Sequence, residues 1–76
     1  MEPLIVSDPK RLGGKPCIRG TRISVEFILE LLASGANRKD ILERYPHVSV
    51  EGLDAALVYA AKMMRNEVVW DVKVPA

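Results

Sequence analysis

The chain has 76 residues, 49% hydrophobic and 28% charged, which is typical of one small folded domain rather than of a disordered protein. Its 11 basic and 10 acidic residues give a net charge of +1, so the whole protein is not a polycation. The single cysteine excludes an internal disulfide, and one cysteine with one histidine cannot form a structural zinc site, so we expect neither metal nor cofactor. A chain of this size buries only about 60% of its unfolded surface, which makes self-association its expected support.

Positive charge gathers in the N-terminal third of the chain. Residues 1–23 contain five basic side chains against Glu2 and Asp8, a net charge of +3 (five minus two), and the remainder is therefore −2. Residues 1–3 lack the basic region of a secretory signal peptide, and no apolar run is long enough to cross a bilayer. We therefore expect a cytoplasmic protein without a membrane segment.

A short strand and a tight reversal are predicted first along the chain. Residues 4–6 are an apolar run ended by a Ser-Asp-Pro turn signal. The following segment, GGKPCIRGTRI at residues 13–23, has glycines that permit positive φ and a proline that disfavours helix, so it predicts a small hairpin or bulged loop. We expect Gly20 at the tightest point and Thr21 in a local hydrogen bond. The predicted structural turn residues are Gly13, Gly14, Gly20 and Thr21.

Two short helices with clear caps follow. Ser24 precedes an apolar repeat with helical spacing, and Gly35 is placed to end that helix. Asn37 caps a second helix, with Asp40 three residues later completing a near capping box. Pro46 stops the second helix.

The third helix is the longest, from a cap at Ser49 to about residue 65 or 66. Gly52 lies in its first turn and weakens the start by about 1 kcal/mol relative to alanine. Its apolar arc spans roughly 200°, which is wider than one core contact requires, and this predicts a dimer or partner surface. The tail, residues 67–76, alternates loosely and is expected to be an edge strand or a segment that orders on a partner. The predicted dimer or partner interface residues are Ala56, Tyr59, Met63 and Trp70.

No constellation in the sequence favours an enzyme. Gly14 and Gly20 enclose five residues where a nucleotide-binding P-loop has four, and Pro16 removes a backbone N–H that a phosphate cradle would use. Cys17 and His47 lie on different predicted elements, and a cysteine is most often a small core residue. We therefore expect no catalytic residues and no small-molecule substrate.

Three short helices with a tight connection between the last two fit a helix-turn-helix outline that could bind DNA. The start of the third helix is acidic at Glu51 and Asp54, which would repel phosphate, so the basic residues elsewhere are better candidates. Two other interpretations stay open: a solvated run of charges, and pairing of Arg22 with Glu26 that joins the hairpin to the first helix. The candidate DNA contacts are Lys15, Arg19, Arg22, Arg38 and Lys39.

Two stretches of the chain, GGKPCIRGTRISVEFILELLASG and ILERYPHVSVEGLDAALVYAA, resemble the bacterial family catalogued as domain of unknown function 433. The family pattern is a strand ending in Asp-Pro, then Gly-Gly-x-Pro-x-Ile-x-Gly-Thr-Arg, then three helices with Tyr-Pro between the last two. The resemblance covers roughly residues 5–62. It implies a mainly α, homeodomain-like three-helix fold with a short N-terminal strand and hairpin.

The same resemblance implies a function. Members of the family are often likened to VapB-type antitoxins, which silence a neighbouring PIN-like nuclease and dimerise on their own promoter DNA. We therefore expect one domain, residues 1–76, with an arm (1–23), a three-helix core (24–66) and a C-terminal tail (67–76). The leading hypothesis is a non-enzymatic, homodimeric antitoxin that also binds DNA. The alternative is a protein-interaction module without DNA-binding activity.

Overall fold

The structure, a computed structural model, describes residues 3–10 and 12–65. It confirms the predicted mainly α fold, with three helices preceded by a two-stranded antiparallel sheet. The predicted tail with Trp70 lies outside the described residues. The elements in chain order are β1 (Ile5–Ser7), a single 3₁₀ turn (Leu12–Gly14), β2 (Pro16–Ile18), α1 (Val25–Ala33), α2 (Arg38–Arg44) and α3 (Val50–Met64).

The sheet joins the predicted first strand to the middle of the glycine-punctuated segment. Ile5 lies opposite Ile18 and Ser7 opposite Pro16 in an antiparallel register. The backbone N–H of Arg19 extends the pairing by donating to the carbonyl of Leu4 at 2.7 Å. The sequence predicted β1 within one residue but did not identify β2 as its partner.

The helix ends follow the capping residues of the sequence. Ser24 Oγ accepts from the Phe27 N–H at 3.0 Å to begin α1. After α1, Gly35 has φ of +105°, and the N–H groups of Gly35 and Ala36 donate to the carbonyls of Leu32 and Leu31. This is a Schellman motif, which satisfies the last carbonyls of the helix.

The second and third helices also begin where their caps predict. Asn37 and Asp40 form a reciprocal capping box at the start of α2, which ends two residues before Pro46. Ser49 Oγ accepts from the Gly52 N–H at 2.9 Å to begin α3. Among the described residues, no helix is both long and apolar enough to cross a membrane.

The core forms where α3 packs on α1 and on both strands. Three of its side chains, Ile28, Ile41 and Leu53, are almost completely removed from solvent. Burial of a side chain of this size contributes about 1.5–3 kcal/mol, so these three positions carry much of a small core. The full buried cluster is Ile18, Val25, Ile28, Ile41, Val48, Leu53 and Ala56.

Gly52 is a contact point between α3 and the sheet. A Cβ added to Gly52 would lie 2.9 Å from Cγ2 of Ile18 and 3.1 Å from the capping Oγ of Ser49. Both distances are too short for ordinary van der Waals contact, and Ile18 is itself buried. The sequence marked Gly52 as a weak helix residue, whereas the structure shows that a larger residue would separate the first turn of α3 from β2.

We expect Gly52→Ala to lower the free energy of unfolding by about 1–2 kcal/mol, although alanine is the better helix former. Overpacking of about 1–3 kcal/mol outweighs a propensity gain of about 1 kcal/mol. Urea unfolding followed by circular dichroism measures the change. Val50→Ala, on the exposed side of the same turn, is the control and should stay within about 0.5 kcal/mol of wild type. A stabilised Gly52→Ala variant would contradict the contact.

Candidate functional site

The glycine-punctuated segment forms a second reversal that directly precedes α1. Its tip, residues 19–22, is closed by a hydrogen bond of 2.9 Å from the Ile18 N–H to the Ile23 carbonyl, and Cys17 pairs with Ser24 in an isolated bridge. Gly20 has φ of +80°, a conformation that favours glycine. We call residues 19–22 the hairpin tip.

The side chain of Thr21 holds the hairpin tip together. Its Oγ1 donates to the Ile18 carbonyl at 2.8 Å and accepts from the Ile23 N–H at 3.0 Å. One hydroxyl thus satisfies a backbone acceptor and a backbone donor on opposite sides of the loop. The other two predicted turn glycines, Gly13 and Gly14, also have positive φ and lie in the turn between β1 and β2.

A groove of about 380 Å³ separates the hairpin tip from the turn between α2 and α3. Gly20 and Thr21 line one side, and Arg44 and His47 line the other. Both Arg44 and His47 are exposed, and among residues 3–10 and 12–65 no aspartate or glutamate lines the groove. The groove therefore places the hairpin tip opposite two basic side chains, Arg44 and His47. Its full lining is Gly20, Thr21, Ile23, Arg44, Tyr45, Pro46, His47 and Val48.

Lys15, a predicted DNA contact, is paired with a carboxylate of its own chain. Its Nζ lies 2.7 Å from Oε1 of Glu26, and both side chains are more than half exposed. The hydrogen bond to Glu26, and then the negative charges of Glu26 and Glu30, raise the pKa of Lys15 above its ordinary value. Lys15 is therefore cationic throughout the physiological pH range, but its charge is already balanced. Glu26, which the sequence left open as a partner of Arg22, pairs with Lys15 instead.

Two further predicted DNA contacts also have acidic neighbours. Arg38 Nη1 pairs with Oδ1 of Asp54, which joins the start of α2 to α3. Lys39 Nζ lies 4.0 Å from Oε1 of Glu43, one turn later on α2. These pairs are exposed, and an exposed pair contributes only about 0–1 kcal/mol to stability. Their main effect is to balance the positive charges of Arg38 and Lys39.

The remaining two candidates, Arg19 and Arg22, lie at the hairpin tip and are exposed. Within residues 3–10 and 12–65, no carboxylate lies within ion-pair distance of Arg22. The five predicted cations therefore do not form one surface. Arg19 and Arg22 share the hairpin tip, whereas Arg38 and Lys39 begin α2.

The predicted partner residues on α3 divide between the core and the surface. The prediction that Ala56 contacts a partner is wrong. Ala56 is fully buried against the chain's own helices and strands, so it has no surface that a partner could contact. Tyr59 is half-buried and packs against the core, whereas half of the Met63 surface is exposed (50%). Trp70 lies outside the described residues.

The core covers the last two turns of α3 only in part: Leu57, Tyr59 and Ala60 pack against it, and the residues after them are exposed. All three buried residues of α3 come before residue 57. In residues 57–64 every side chain except Lys62 is apolar, yet Met63 and Met64 are 50% and 58% exposed. An apolar surface of this kind on a helix is normally covered by another protein surface. We call residues 57–64 the projecting end of α3.

The two residues with nucleophilic or acid–base chemistry lie apart in the fold. Cys17 is buried in β2, where its Sγ donates to the Lys15 carbonyl at 3.2 Å. His47 is exposed in the turn between α2 and α3. In the part of the chain that the structure describes, no three His, Cys, Asp or Glu side chains are grouped so as to hold a metal ion.

A family model described as "Protein of unknown function (DUF433)" matches residues 5–60. The chain belongs to this family. The match begins at β1 and ends inside the projecting end of α3, so the hairpin tip, the groove and the Gly52 contact all lie within the DUF433 unit.

Two relatives show the context of this DUF433 unit. The uncharacterized protein y4eO of Sinorhizobium fredii is 35% identical over 57 residues, which are 75% of this chain but only 26% of y4eO. The crystal structure of a DUF433 member from Anabaena variabilis has a TM-score of 0.77 and 34% identity, and the match covers 80% of this chain and 60% of that one. The chain therefore spans only part of the length of both relatives.

Thr21→Val is expected to lower the free energy of unfolding by about 1–2 kcal/mol, because it removes the hydroxyl that satisfies the backbone on both sides of the hairpin tip. Thermal unfolding measures the change. Thr21→Ser keeps the hydroxyl and should retain most of the stability. A loss in Thr21→Ser with none in Thr21→Val would show that the methyl group, not the hydrogen bonds, is what matters.

Proposed function

We propose that this DUF433 protein is the antitoxin of a toxin–antitoxin pair. It is a non-enzymatic, cytoplasmic protein that binds and silences a PIN-like nuclease and, as a homodimer, binds the DNA upstream of its own gene. The observation that carries this proposal is the projecting end of α3, an apolar helical surface that the chain's own core covers only in part and on which Met63 and Met64 are exposed.

The projecting end has the features of a helix that docks into a groove. Tyr59 and Met63 lie one turn apart on the side that continues the core, so a partner surface there would extend the existing packing. Met64 widens the apolar area and is 58% exposed. Methionine side chains adapt to irregular surfaces, which suits a protein that must cover part of an enzyme.

The groove edge supports the DNA-binding part of the proposal. Arg44 and His47 line the groove on one side, and Arg22 lies in the chain between Thr21 and Ile23, which line it too; among the described residues, the lining has no carboxylate. A homodimer would present two such edges and double the positive charge available to phosphates. A helix-turn-helix arrangement that reads bases through α3 has less support, because Glu51 and Asp54 are exposed at its start.

A protein-interaction module without DNA-binding activity is the second candidate. It is favoured by the ion pairs, because Lys15, Arg38 and Lys39 each have a carboxylate beside them. Only the hairpin tip would then distinguish the two functions, and Arg22 would be a solvated surface charge.

For the nuclease, we expect Met63→Gln/Met64→Gln to weaken binding by about tenfold or more, because two exposed apolar anchors are lost while helix propensity is kept. The measurement is isothermal titration of the chain with the product of the neighbouring gene, together with inhibition of RNA cleavage. Leu29→Gln on α1 is the matched control, since Leu29 is an exposed apolar residue on another helix. Unchanged inhibition by the methionine variant would rule out the projecting end as the docking surface.

For DNA, we expect Arg22→Ala to lower the affinity for the upstream DNA and to reduce the salt dependence by about one unit of slope. A gel shift at several salt concentrations, with shuffled DNA as the competitor, measures both. Lys10→Ala removes an equal, exposed charge outside the predicted contacts and outside α3, and should change neither. Equal binding to natural and shuffled DNA would leave the interaction module as the function.

A further inference from the structure

One face of α3 that points away from the core carries a regular strip of residues. Their spacing of three and four places them on one side of the helix, within an arc of about 120°. All are exposed except the half-buried Ala55, and Val58 at the centre is 53% exposed. The α3 strip consists of Glu51, Asp54, Ala55, Val58, Ala61, Lys62 and Arg65.

The charges of the α3 strip complement those of a second α3 strip that runs in the opposite direction. Its N-terminal end is acidic, its centre is small and apolar, and its C-terminal end is basic. Each residue has a counterpart at the same distance on the other side of Val58. Glu51 and Arg65 are both seven residues from Val58, and Asp54 and Lys62 are both four residues from it.

We propose that the α3 strip is the homodimer interface, with a second copy of this chain packed antiparallel and a two-fold axis at Val58. In this arrangement Glu51 faces Arg65 of the second copy, and Asp54 faces Lys62 of the second copy. Ala55 faces Ala61 of the second copy. The symmetry repeats each contact, so two unlike ends of one helix form a closed interface.

The direction of packing follows from the charges. A parallel arrangement would place Glu51 against Glu51 and Arg65 against Arg65, which is repulsive at both ends. The antiparallel arrangement pairs all eight charges and also opposes the two helix dipoles. The small side chains of Ala55 and Ala61 let the two helices approach at the short end of the usual 8–10 Å separation.

Apolar residues beside the α3 strip increase the surface area that a dimer can bury. A standard interface buries about 800 Å² per partner, which is more than one row of small side chains supplies. Val50 and Met64 lie to the same side of the strip and are 48% and 58% exposed, so each copy can cover the other's flank. Arg38 remains beside Asp54 at the edge and adds a further positive charge there.

The inference deepens the proposed function because it rests on the homodimer, but it requires neither the nuclease nor DNA. Met63 lies about 140° around the helix from Val58, so a dimer through the strip leaves the core side of the projecting end open. Met64 belongs to both surfaces, so Met63→Gln alone is the variant that tests nuclease inhibition separately from dimerisation. A dimer that inhibits no nuclease would contradict the proposed antitoxin and leave the interface standing.

The test is a charge exchange followed by analytical ultracentrifugation of the full chain. We expect wild type to dimerise, and E51K/D54K and K62E/R65E each to weaken the dimer by at least about tenfold, because paired charges become like charges. An equimolar mixture of the two variants should restore dimers, since their altered ends are complementary. The quadruple variant E51K/D54K/K62E/R65E should also dimerise, as the antiparallel arrangement requires.

The control is E30K/E43K, which makes the same change in charge on α1 and α2 and should keep the wild-type dimer. Circular dichroism shows that each variant is folded before it is scored. Wild type that sediments as a monomer would overturn the proposal, as would a mixture that fails to dimerise. A dimer that is lost in Met63→Gln/Met64→Gln but retained in both charge variants would also overturn it, by moving the interface to the projecting end.

Discussion

The fold depends on the close contact between the first turn of α3 and β2, where Gly52 leaves room for Ile18. The short elements around this contact are not stable alone: strands of three residues form only a marginal hairpin, and α1 and α2, with nine and seven residues, are too short to persist in water. The contact places the sheet against the longest helix and so completes the core. It also fixes the hairpin tip next to the α2–α3 turn, which creates the groove.

Local rules predicted the helix boundaries because caps act within a few residues. Ser24, Asn37 and Ser49 each satisfy a backbone N–H three residues later, and that geometry is encoded in the sequence itself. Gly52 could not be interpreted in this way. Helix propensity accounts only for the backbone entropy that a glycine loses. The structural reason for Gly52 is the Cγ2 methyl group of Ile18, which lies 34 residues earlier in the chain.

The charged residues were likewise predictable from the sequence only in part. The sequence identified Lys15 and Arg38 as cations, but their partners are 11 and 16 residues away and are brought near only by the fold. The helical wheel of α3 failed for a related reason. It gives the direction of each side chain around the axis but not the height at which neighbouring elements end. Ala56 and Met63 share one side of α3, yet Ala56 is buried in the core and Met63 lies beyond it.

Because α3 meets the core along only part of its length, its surface can support separate tasks. Its first two turns hold the fold together, whereas the side of the projecting end that carries Met63 and the α3 strip around Val58 are two further surfaces that point in different directions. A domain of this size has a marginal core, so any partner that binds only the folded chain raises its apparent stability by mass action. Occupation of either surface would therefore favour occupation of the other by keeping the chain folded. In such a protein, stability and binding are linked through a single helix.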